Sequence, residues 1–326
     1  MFVDIPNNSW ILKIYHMTEK YERTILLTDP TGTVGNSVLK QLASLGQDTL
    51  RVAVDRKNKV EKLKFAHEVL NIDYTKPEAI ADALDNVDIL FLRIPPSFDM
   101  VDISYNFVKE AKKTGVKFIV KLSAMDVNQG PGYTSGRSHR EVEKIIEESG
   151  IPFAFLRPNS FMQNFLTRSG LTLKNQGEIY LPAGNAKISI VDARDVAAVA
   201  TEVLTKNGGQ HVNKIYDITG PEALSHSQVA EILSKETGRS ISYVDISEED
   251  LRNRMKKMGI AGWYIENALE LYGMYRSGFR SQTTDVVEQL TEQTPTSFSQ
   301  FVGNYVQSGL SWPNQTSMLT GWIKFE

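Results

Sequence analysis

The chain has 326 residues, a length that fits one large α/β domain or a core domain with a smaller companion. Its 41% hydrophobic and 23% charged residues are typical of a folded globular protein, and a net charge of -3 disfavours a dedicated nucleic-acid or anionic-membrane surface. The absence of cysteine excludes disulfides, thiolate metal sites and cysteine nucleophiles. None of the five histidines belongs to an HExxH pair, so no histidine metal site is expected.

The start of the chain does not resemble a secretory signal, and we expect a cytoplasmic protein that does not enter a membrane. No apolar run approaches the roughly 20 residues of a membrane helix, and no basic stretch precedes an apolar one at the start. We interpret residues 1–22 as an extension ahead of the first strand. Residues 308–326 form a tail with two tryptophans, and the sequence leaves open whether it docks on the body or on a partner.

Short apolar runs alternate with helix-period segments through the first half of the chain. Such alternation predicts a Rossmann-type doubly wound α/β fold, with a parallel sheet buried on both faces. The predicted strands are 24–28, 50–54, 68–72, 89–92, 117–122 and 153–156, and the predicted helices are 34–45, 100–113 and 138–149. The second half is less regular, with a helix over 193–204, a strand over 214–218, a helix over 225–237 and a mostly helical stretch over 247–307.

The turn after the first strand has the pattern of a phosphate-binding loop. Residues 29–35, DPTGTVG, precede a helix, and Gly32 and Gly35 match the last two glycines of the dinucleotide fingerprint. Small residues let backbone N–H groups approach a pyrophosphate at the helix N-terminus. Asp29 stands at the first glycine position, where a carboxylate about 5 Å from a phosphate costs about 3 kcal/mol at an effective dielectric of about 20. The alternative is a tight turn that binds no ligand.

A dinucleotide on this turn also requires a partner for its ribose. Asp55 ends the second strand, 20 residues after Gly35, where a carboxylate accepts the ribose hydroxyls of NAD. Arg56 follows at once, and residues 55–64 hold five basic residues, which favour a 2′-phosphate. The sequence thus slightly favours NADP(H) over NAD(H), although the lysines also fit a solvated helix face. The loop residues expected to contact the dinucleotide are Thr28, Thr31, Gly32, Thr33, Val34 and Gly35.

Six stretches of the chain together resemble the NmrA-like, atypical short-chain dehydrogenase/reductase family. In order they are TILLTDPTGTVGNSV, NIDYTKPEAIADALDNVDILFL, VKFIVKLSAMD, SHREVEKIIEESGIPFAFLRPNSFMQNFL, ISIVDARDVAAVA and IYDITGPEALSHSQVAEIL. The resemblance covers roughly residues 23–307 and is nearest to the NADPH-dependent quinone oxidoreductases of that family. It implies an NAD(P)-binding Rossmann domain over 23–158, completed by about 186–219. It also implies a smaller, mostly helical substrate domain over 159–185 and 220–307.

The resemblance also guides the choice of catalytic residues. The helix after the fifth strand lacks the Tyr-x-x-x-Lys of ordinary short-chain dehydrogenases and instead carries His139 and Glu143, the His-x-x-x-Glu pattern of the NmrA-like branch. His139 has an ordinary pKa near 6.5 and is suited to donate a proton. Glu143 lies four residues on, and its carboxylate is expected to fix the imidazole tautomer and favour the charged form. A surface His–Glu pair without a catalytic role is the alternative.

Further candidates lie at the ends of the later strands. Ser123 ends the fifth strand and is expected to bond a substrate oxygen or the nicotinamide, with a turn cap as the alternative. Tyr133 is a weaker proton donor because its ordinary pKa is near 10. Arg93, after the fourth strand, fits a phosphate contact or a pair with Asp29, although an exposed arginine is the plainer interpretation.

The segment after the sixth strand supplies the last candidates. The resemblance places Pro158 and Asn159 beside the nicotinamide, and Phe161 and Met162 suit an apolar wall for a planar substrate. Core packing is the preferred interpretation for Phe165 and for the aromatic group Trp263, Tyr264, Tyr272 and Tyr275. Asp192 or Asp195 is best explained as a helix cap.

Two functional hypotheses follow. The first is an NAD(P)H-dependent oxidoreductase that transfers a hydride to a quinone, carbonyl or activated alkene of a small molecule. The second is a nucleotide-sensing regulator that binds NAD(P) and a protein partner without turnover, motivated by Asp29 and the missing tyrosine–lysine pair. The sequence leaves an oligomer or a protein partner open.

Overall fold

A seven-stranded sheet organises the chain, in the order β3-β2-β1-β4-β5-β6-β9. The computed structural model describes residues 23–55, 63–97, 99–125, 127, 134–167, 177–206 and 209–308. The strands of this sheet are β1 Thr24–Thr28, β2 Thr49–Asp55, β3 Glu68–Ile72, β4 Ile89–Leu92, β5 Phe118–Leu122, β6 Phe153–Pro158 and β9 Lys214–Ile218. All its pairings are parallel, which confirms the Rossmann-type doubly wound fold.

The strand order places the site. β1 pairs in parallel with β2 on one side and with β4 on the other. Successive strands are therefore added on one side of β1 up to β3 and on its other side from β4 onward. Open α/β sheets bind ligands in the crevice at such a switch point, outside the carboxyl ends of the strands. The turn after β1 and the ends of β4, β5 and β6 therefore share one edge of the sheet.

Helices cover both faces of the sheet and build most of the second half. Their bounds are α1 Thr33–Leu45, α2 Pro77–Ala83, α3 Met100–Thr114, α4 Thr134–Ser149, α5 Asn164–Thr167, α6 Ala193–Thr205, α7 His226–Thr237, α8 Glu248–Lys257, α9 Gly262–Arg276, α10 Val286–Thr291 and α11 Phe298–Gln307. None of the helices that the structure describes is both long and apolar enough to cross a bilayer.

Helix α4 begins four residues before the predicted start at residue 138. Glu270 of α9 accepts hydrogen bonds from the backbone N–H of Thr134 (2.6 Å) and from its hydroxyl (3.0 Å). A carboxylate at a helix N-terminus satisfies amides that have no partner within the helix. The cap comes from 136 residues away along the chain, so no local pattern indicates it.

Two small sheets that the sequence analysis did not predict lie in the second half. β7 Glu178–Leu181 pairs with β11 Ser242–Asp245 in parallel, and β8 Lys187–Ile188 pairs with β10 Leu224–Ser225 in antiparallel. Strands of two to four residues are too short to display a periodicity, and their partners are distant in sequence.

Three apolar clusters hold these layers together. One lies between the sheet and helices α1 and α6, and a second lies on the other face, where Phe107 of α3 and Ile146 of α4 pack against the strands. The third joins residues of the second half around Phe298. Val287 of α10 packs into the first cluster, although the helix lies in the range predicted for the substrate domain.

Candidate active site

The turn after β1 is shaped by the backbone of Asp29. This residue has φ 51°, in the left-handed region that glycine occupies most readily. Its carbonyl accepts the N–H of Gly32 (3.1 Å) and lies so close to Gly35 that a Cβ there would collide with it. Gly32 is the N-cap of α1, so no side chain at that position covers the first amides of the helix. The turn therefore presents helix amides beside two exposed threonines, Thr31 and Thr33.

The carboxylate of Asp29 lies across this turn and pairs with Arg93. A Cβ on Gly32 would collide with Oδ2 of Asp29, and the same oxygen accepts a hydrogen bond from Nη1 of Arg93. Burial raises the pKa of Asp29, and the nearby Arg93 guanidinium opposes that rise. The side chain of Arg93 is 23% exposed. The plainer interpretation of Arg93 as an exposed arginine is therefore wrong, and its pairing with Asp29 is confirmed.

Thr28 and Val34 take structural positions in this turn. The hydroxyl of Thr28 donates to the carbonyl oxygen of Arg93 (2.8 Å) and accepts the N–H of Arg93 (2.7 Å), which ties the end of β1 to the end of β4. Its side chain is completely buried, and Val34 packs into the cluster on the sheet. Both side chains are buried, so any contact of Thr28 or Val34 with a dinucleotide is restricted to the backbone.

Asp55 lies at the end of β2, next to the turn. Its neighbour strand β1 ends at Thr28, which pairs with Ala53, so Asp55 extends two residues beyond that pair at the carboxyl edge. Asp55 is partly accessible. Arg56, the first residue of the basic run, lies outside the described residues. The described residues therefore include a partly accessible carboxylate at this edge of the sheet, as the sequence predicts.

A second group of polar residues occupies the ends of β5 and β6. Glu143 of α4 is fully buried, and its carboxylate accepts hydrogen bonds from Nε (2.9 Å) and Nη2 (2.6 Å) of Arg157. The hydroxyl of Ser123 donates to Oε1 of the same carboxylate (2.7 Å). Ser123, Glu143 and Arg157 thus form one buried network. Sequence reasoning missed Arg157, whose only signal is a single arginine within the apolar strand FAFLRP.

His139 pairs with a lysine, not with Glu143 as expected. Nζ of Lys121 lies 3.3 Å from Nδ1 of His139 and donates to the carbonyl oxygen of Leu122 (2.7 Å). Desolvation lowers the pKa of His139 well below its usual range, and the charges of Lys121, Arg93 and Arg280 lower it further. The expectation that Glu143 favours the charged imidazole is therefore wrong, because positive charges surround the ring.

Lys121 is the second residue that sequence reasoning missed. It lies within β5, is 1% exposed, and its burial lowers its pKa to about 7. The charge of Glu143 opposes this lowering, and that of Arg93 adds to it. A lone lysine in the apolar run FIVKL was the available signal. Strongly perturbed groups of this kind concentrate at functional sites.

Asn159 braces the segment after β6. Its side-chain amide donates to Oγ of Ser189 (2.7 Å) and to the carbonyl oxygen of Arg280 (2.9 Å). Arg280 donates in turn to Oδ1 of Asn159 (3.3 Å) and to the carbonyl oxygen of Met125 (3.0 Å). Asn159 and the preceding Pro158 are buried. Arg280 thereby fastens the ends of β5 and β6 to the second half, and no local signal in the sequence indicates this role.

A small pocket of about 30 Å³ opens next to this segment. Its lining residues are Ser160, Phe161, Asn164, Phe165, Leu181, Ile188, Ile190, His226, Tyr272 and Tyr275. The hydroxyls of Ser160 and Tyr275 form a hydrogen bond across it. Phe161 thus lies at the pocket, whereas Met162 is fully buried in the core, which corrects the expected contact of Met162 with a substrate.

The helix-cap and aromatic residues singled out in the sequence take structural positions. Asp192 caps α6 by accepting the N–H of Arg194 (2.8 Å), which confirms its interpretation as a helix cap. Phe165, Tyr272 and Tyr275 pack into the third apolar cluster and also line the pocket. Tyr133 lies outside the described residues.

Comparisons with known proteins show what the chain is similar to. The model of the NmrA-like family matches residues 21–305. An NAD(P)H azoreductase of Xenophilus azovorans is 32% identical over 277 residues, covering 85% of this chain and 96% of the azoreductase. The structure of the NADPH-dependent quinone oxidoreductase of Escherichia coli complexed with NADPH is 25% identical with a TM-score of 0.79, covering 86% of this chain and 99% of that chain. The triphenylmethane reductase of Citrobacter sp. complexed with NADP(H) is 26% identical with a TM-score of 0.76, covering 86% and 99%.

Proposed function

As the chain belongs to the NmrA-like family and is an NAD(P)-dependent oxidoreductase, we propose that it reduces a quinone, carbonyl or activated alkene of a planar small molecule. The observation that carries this proposal is the placement of a dinucleotide turn after β1 and an aromatic-lined pocket after β6 at the same, carboxyl edge of the sheet. Reduced NAD(P), when bound, supplies the hydride. The protein contributes binding, orientation and a proton.

The turn after β1 fits a dinucleotide in its backbone. Glycines 32 and 35 leave no side chain between the approaching phosphates and the amides of α1, and Thr31 and Thr33 add accessible hydroxyls. Asp29 is the unfavourable element, and Arg93 offsets its charge within the turn. We propose that Thr31, Gly32, Thr33 and Gly35 hold the pyrophosphate and that Asp55 faces the adenosine ribose.

NADP(H) is the proposed cofactor in preference to NAD(H). The basic residues directly after Asp55 suit a 2′-phosphate, and the similar quinone oxidoreductase of Escherichia coli is complexed with NADPH. Arg56 is the proposed first contact. Its position in the chain, directly after Asp55, is the support for that assignment.

The pocket after β6 is the proposed substrate site, and its roughly 30 Å³ must widen to admit an acceptor. Phe161, Tyr272 and Tyr275 give it flat aromatic walls, and the hydroxyls of Ser160 and Tyr275 provide polar contacts. The three similar proteins are named for azo, quinone and triphenylmethane compounds, which are all conjugated aromatic or quinonoid acceptors. We propose an acceptor of that class.

His139 is the proposed proton donor to the reduced acceptor. The ammonium of Lys121 can only donate, so Nδ1 of His139 accepts and the ring proton resides on Nε2. Ser123, Glu143 and Arg157 are positioning residues that fix α4 against β5 and β6. The neutral imidazole with its proton on Nε2 is the form that this environment favours.

The test is a spectrophotometric assay of NADPH and NADH oxidation with a panel of quinones, azo dyes, aldehydes and activated alkenes. We expect turnover with at least one planar conjugated acceptor, and a loss of about 10²-fold in kcat for His139→Gln. The matched control is Arg137→Gln, an exposed residue of the same helix, for which we expect unchanged turnover. Tight dinucleotide binding without turnover on any acceptor would reject the proposal in favour of the nucleotide-sensing regulator.

A further inference from the structure

Lys121 is a buried amine in β5, between β4 and β6. It is 1% exposed, and its neighbours in the sheet are Leu92 of β4 and Phe155 of β6. Its ammonium contacts a carbonyl oxygen and an imidazole nitrogen, while the nearby carboxylate of Glu143 is bonded by Arg157 and Ser123. A charged amine without a bonded carboxylate is unfavourable in the interior, so structural stability does not explain its presence.

His139 of α4 lies next to this amine, beside the carboxyl end of β5. His139 as a residue is partly accessible, whereas Lys121 is buried. Besides desolvation, the charges of two arginines lower the pKa of His139. Arg93 follows β4, and Arg280 is bonded to residues that follow β5 and β6. The ring contacts Lys121 directly, and the guanidinium groups act on it through their charge.

We propose that Lys121 is the proton reservoir of the reduction and acts through His139, an inference that rests on the proposed function. The hydride leaves an oxyanion on the acceptor, which needs one proton. The Nε2–H bond of His139 breaks and an O–H bond forms on the acceptor, while an N–H bond of Lys121 breaks and a new one forms at Nδ1. Lys121 becomes a neutral amine, and one proton from water restores both groups after product release.

The pairing explains how a neutral histidine donates a proton. A neutral imidazole is a poor acid by itself, but it releases the Nε2 proton readily when Nδ1 gains one at the same time. Burial brings the pKa of Lys121 to about 7, so the amine both holds and releases a proton near neutrality. The charged groups that face the pair are Glu143 of α4, Arg93 after β4 and Arg280, and two of these three disfavour a positive charge on the ring.

Single-turnover reduction as a function of pH tests the proposal. In the wild type, the rate falls about tenfold per pH unit above a pH of about 7 as Lys121 loses its proton. In Lys121→Met, the rate at pH 6 falls at least tenfold and becomes independent of pH from 6 to 9. Lys121→Gln keeps a donor for the Leu122 carbonyl and guards against a folding defect. A wild-type pH profile in either variant overturns the proposal.

The matched control is Lys117→Met. Lys117 directly precedes β5, is 75% exposed and pairs with Asp88, so its loss changes the net charge without touching the pair. We expect this variant to keep the wild-type rate and profile. A loss of the pH dependence in Lys117→Met as well would assign the effect to overall charge and overturn the proposal.

A second measurement needs neither cofactor nor turnover. The ring ¹⁵N shifts of His139, assigned by comparison with His139→Gln, should show a step near pH 7 that reports deprotonation of Lys121. The step should vanish in Lys121→Met, and the pKa of the ring should rise because a facing charge is gone. A step that persists in the variant, or none in the wild type, rejects the relay. A wild type that shows the step but reduces no acceptor rejects the proposed function alone.

Discussion

Two carboxylate–arginine pairs frame the candidate active site, and their surroundings differ. Asp29 and Arg93 meet at the glycine turn with side chains 9% and 23% exposed, whereas Glu143 and Arg157 meet in the interior at 0% and 9%. The second pair is bidentate and also binds Ser123, whereas the first begins from a left-handed backbone. The same ionic chemistry therefore offsets a carboxylate at the glycine turn in one place and holds the framework in the other.

Breaking the buried pair should have the largest effect. Arg157→Met leaves the carboxylate of Glu143 buried without its main partner, and we expect unfolding free energy to fall by about 3–5 kcal/mol in urea denaturation. Arg140→Met is the control, since Arg140 bonds Glu143 and Glu147 from a more accessible position on α4. A loss below about 1 kcal/mol is expected there. Equal losses in the two variants would contradict the framework role.

Removing the acid of the turn should strengthen cofactor binding. Asp29→Gly removes a carboxylate beside the phosphates, releases Arg93 and restores a residue suited to φ 51°. Because Arg93 already offsets part of the repulsion, we expect a gain of roughly tenfold in affinity, about 1.4 kcal/mol. Calorimetric titration with NADPH and NADH measures it.

Asp29→Asn separates the charge of this residue from its shape. A gain in the asparagine variant assigns the effect to charge, and a gain in the glycine variant alone assigns it to backbone conformation. Weaker binding in both variants would show that Asp29 takes part in holding the dinucleotide.

The smallest effect should come from the link between β1 and β4 that underlies the exposed pair. Thr28→Val keeps the shape of the side chain and removes the hydroxyl that bonds the backbone of Arg93, so we expect a loss of about 1 kcal/mol in unfolding free energy. Thr33→Val, at an exposed position of the same turn, should stay within about 0.5 kcal/mol of the wild type. A larger loss for Thr33 than for Thr28 would contradict this assignment.

The candidate site was predictable in its positions and less so in its contacts. Strand ends and glycine turns follow from local patterns, so the turn at Gly32 and Gly35 and the strand-end position of Ser123 could be read from the chain. The partner of His139 could not be read from the chain. Glu143 lies at the i+4 position, but its carboxylate binds the guanidinium of Arg157 through two hydrogen bonds instead. Spacing along a helix shows which residues share a face, but it does not show which neighbouring side chain each of them contacts.

The amino-acid sequence by itself determined the doubly wound sheet, the family and the turn that suits a dinucleotide, because hydrophobic periodicity and glycine placement act over a few residues. Only the tertiary structure decided the partners of the charged side chains. Lys121 meets His139, Arg157 meets Glu143, and Glu270 caps α4, each through packing of distant elements. Desolvation and the competition for buried ion pairs depend on that packing, and so does the proton chemistry of the site.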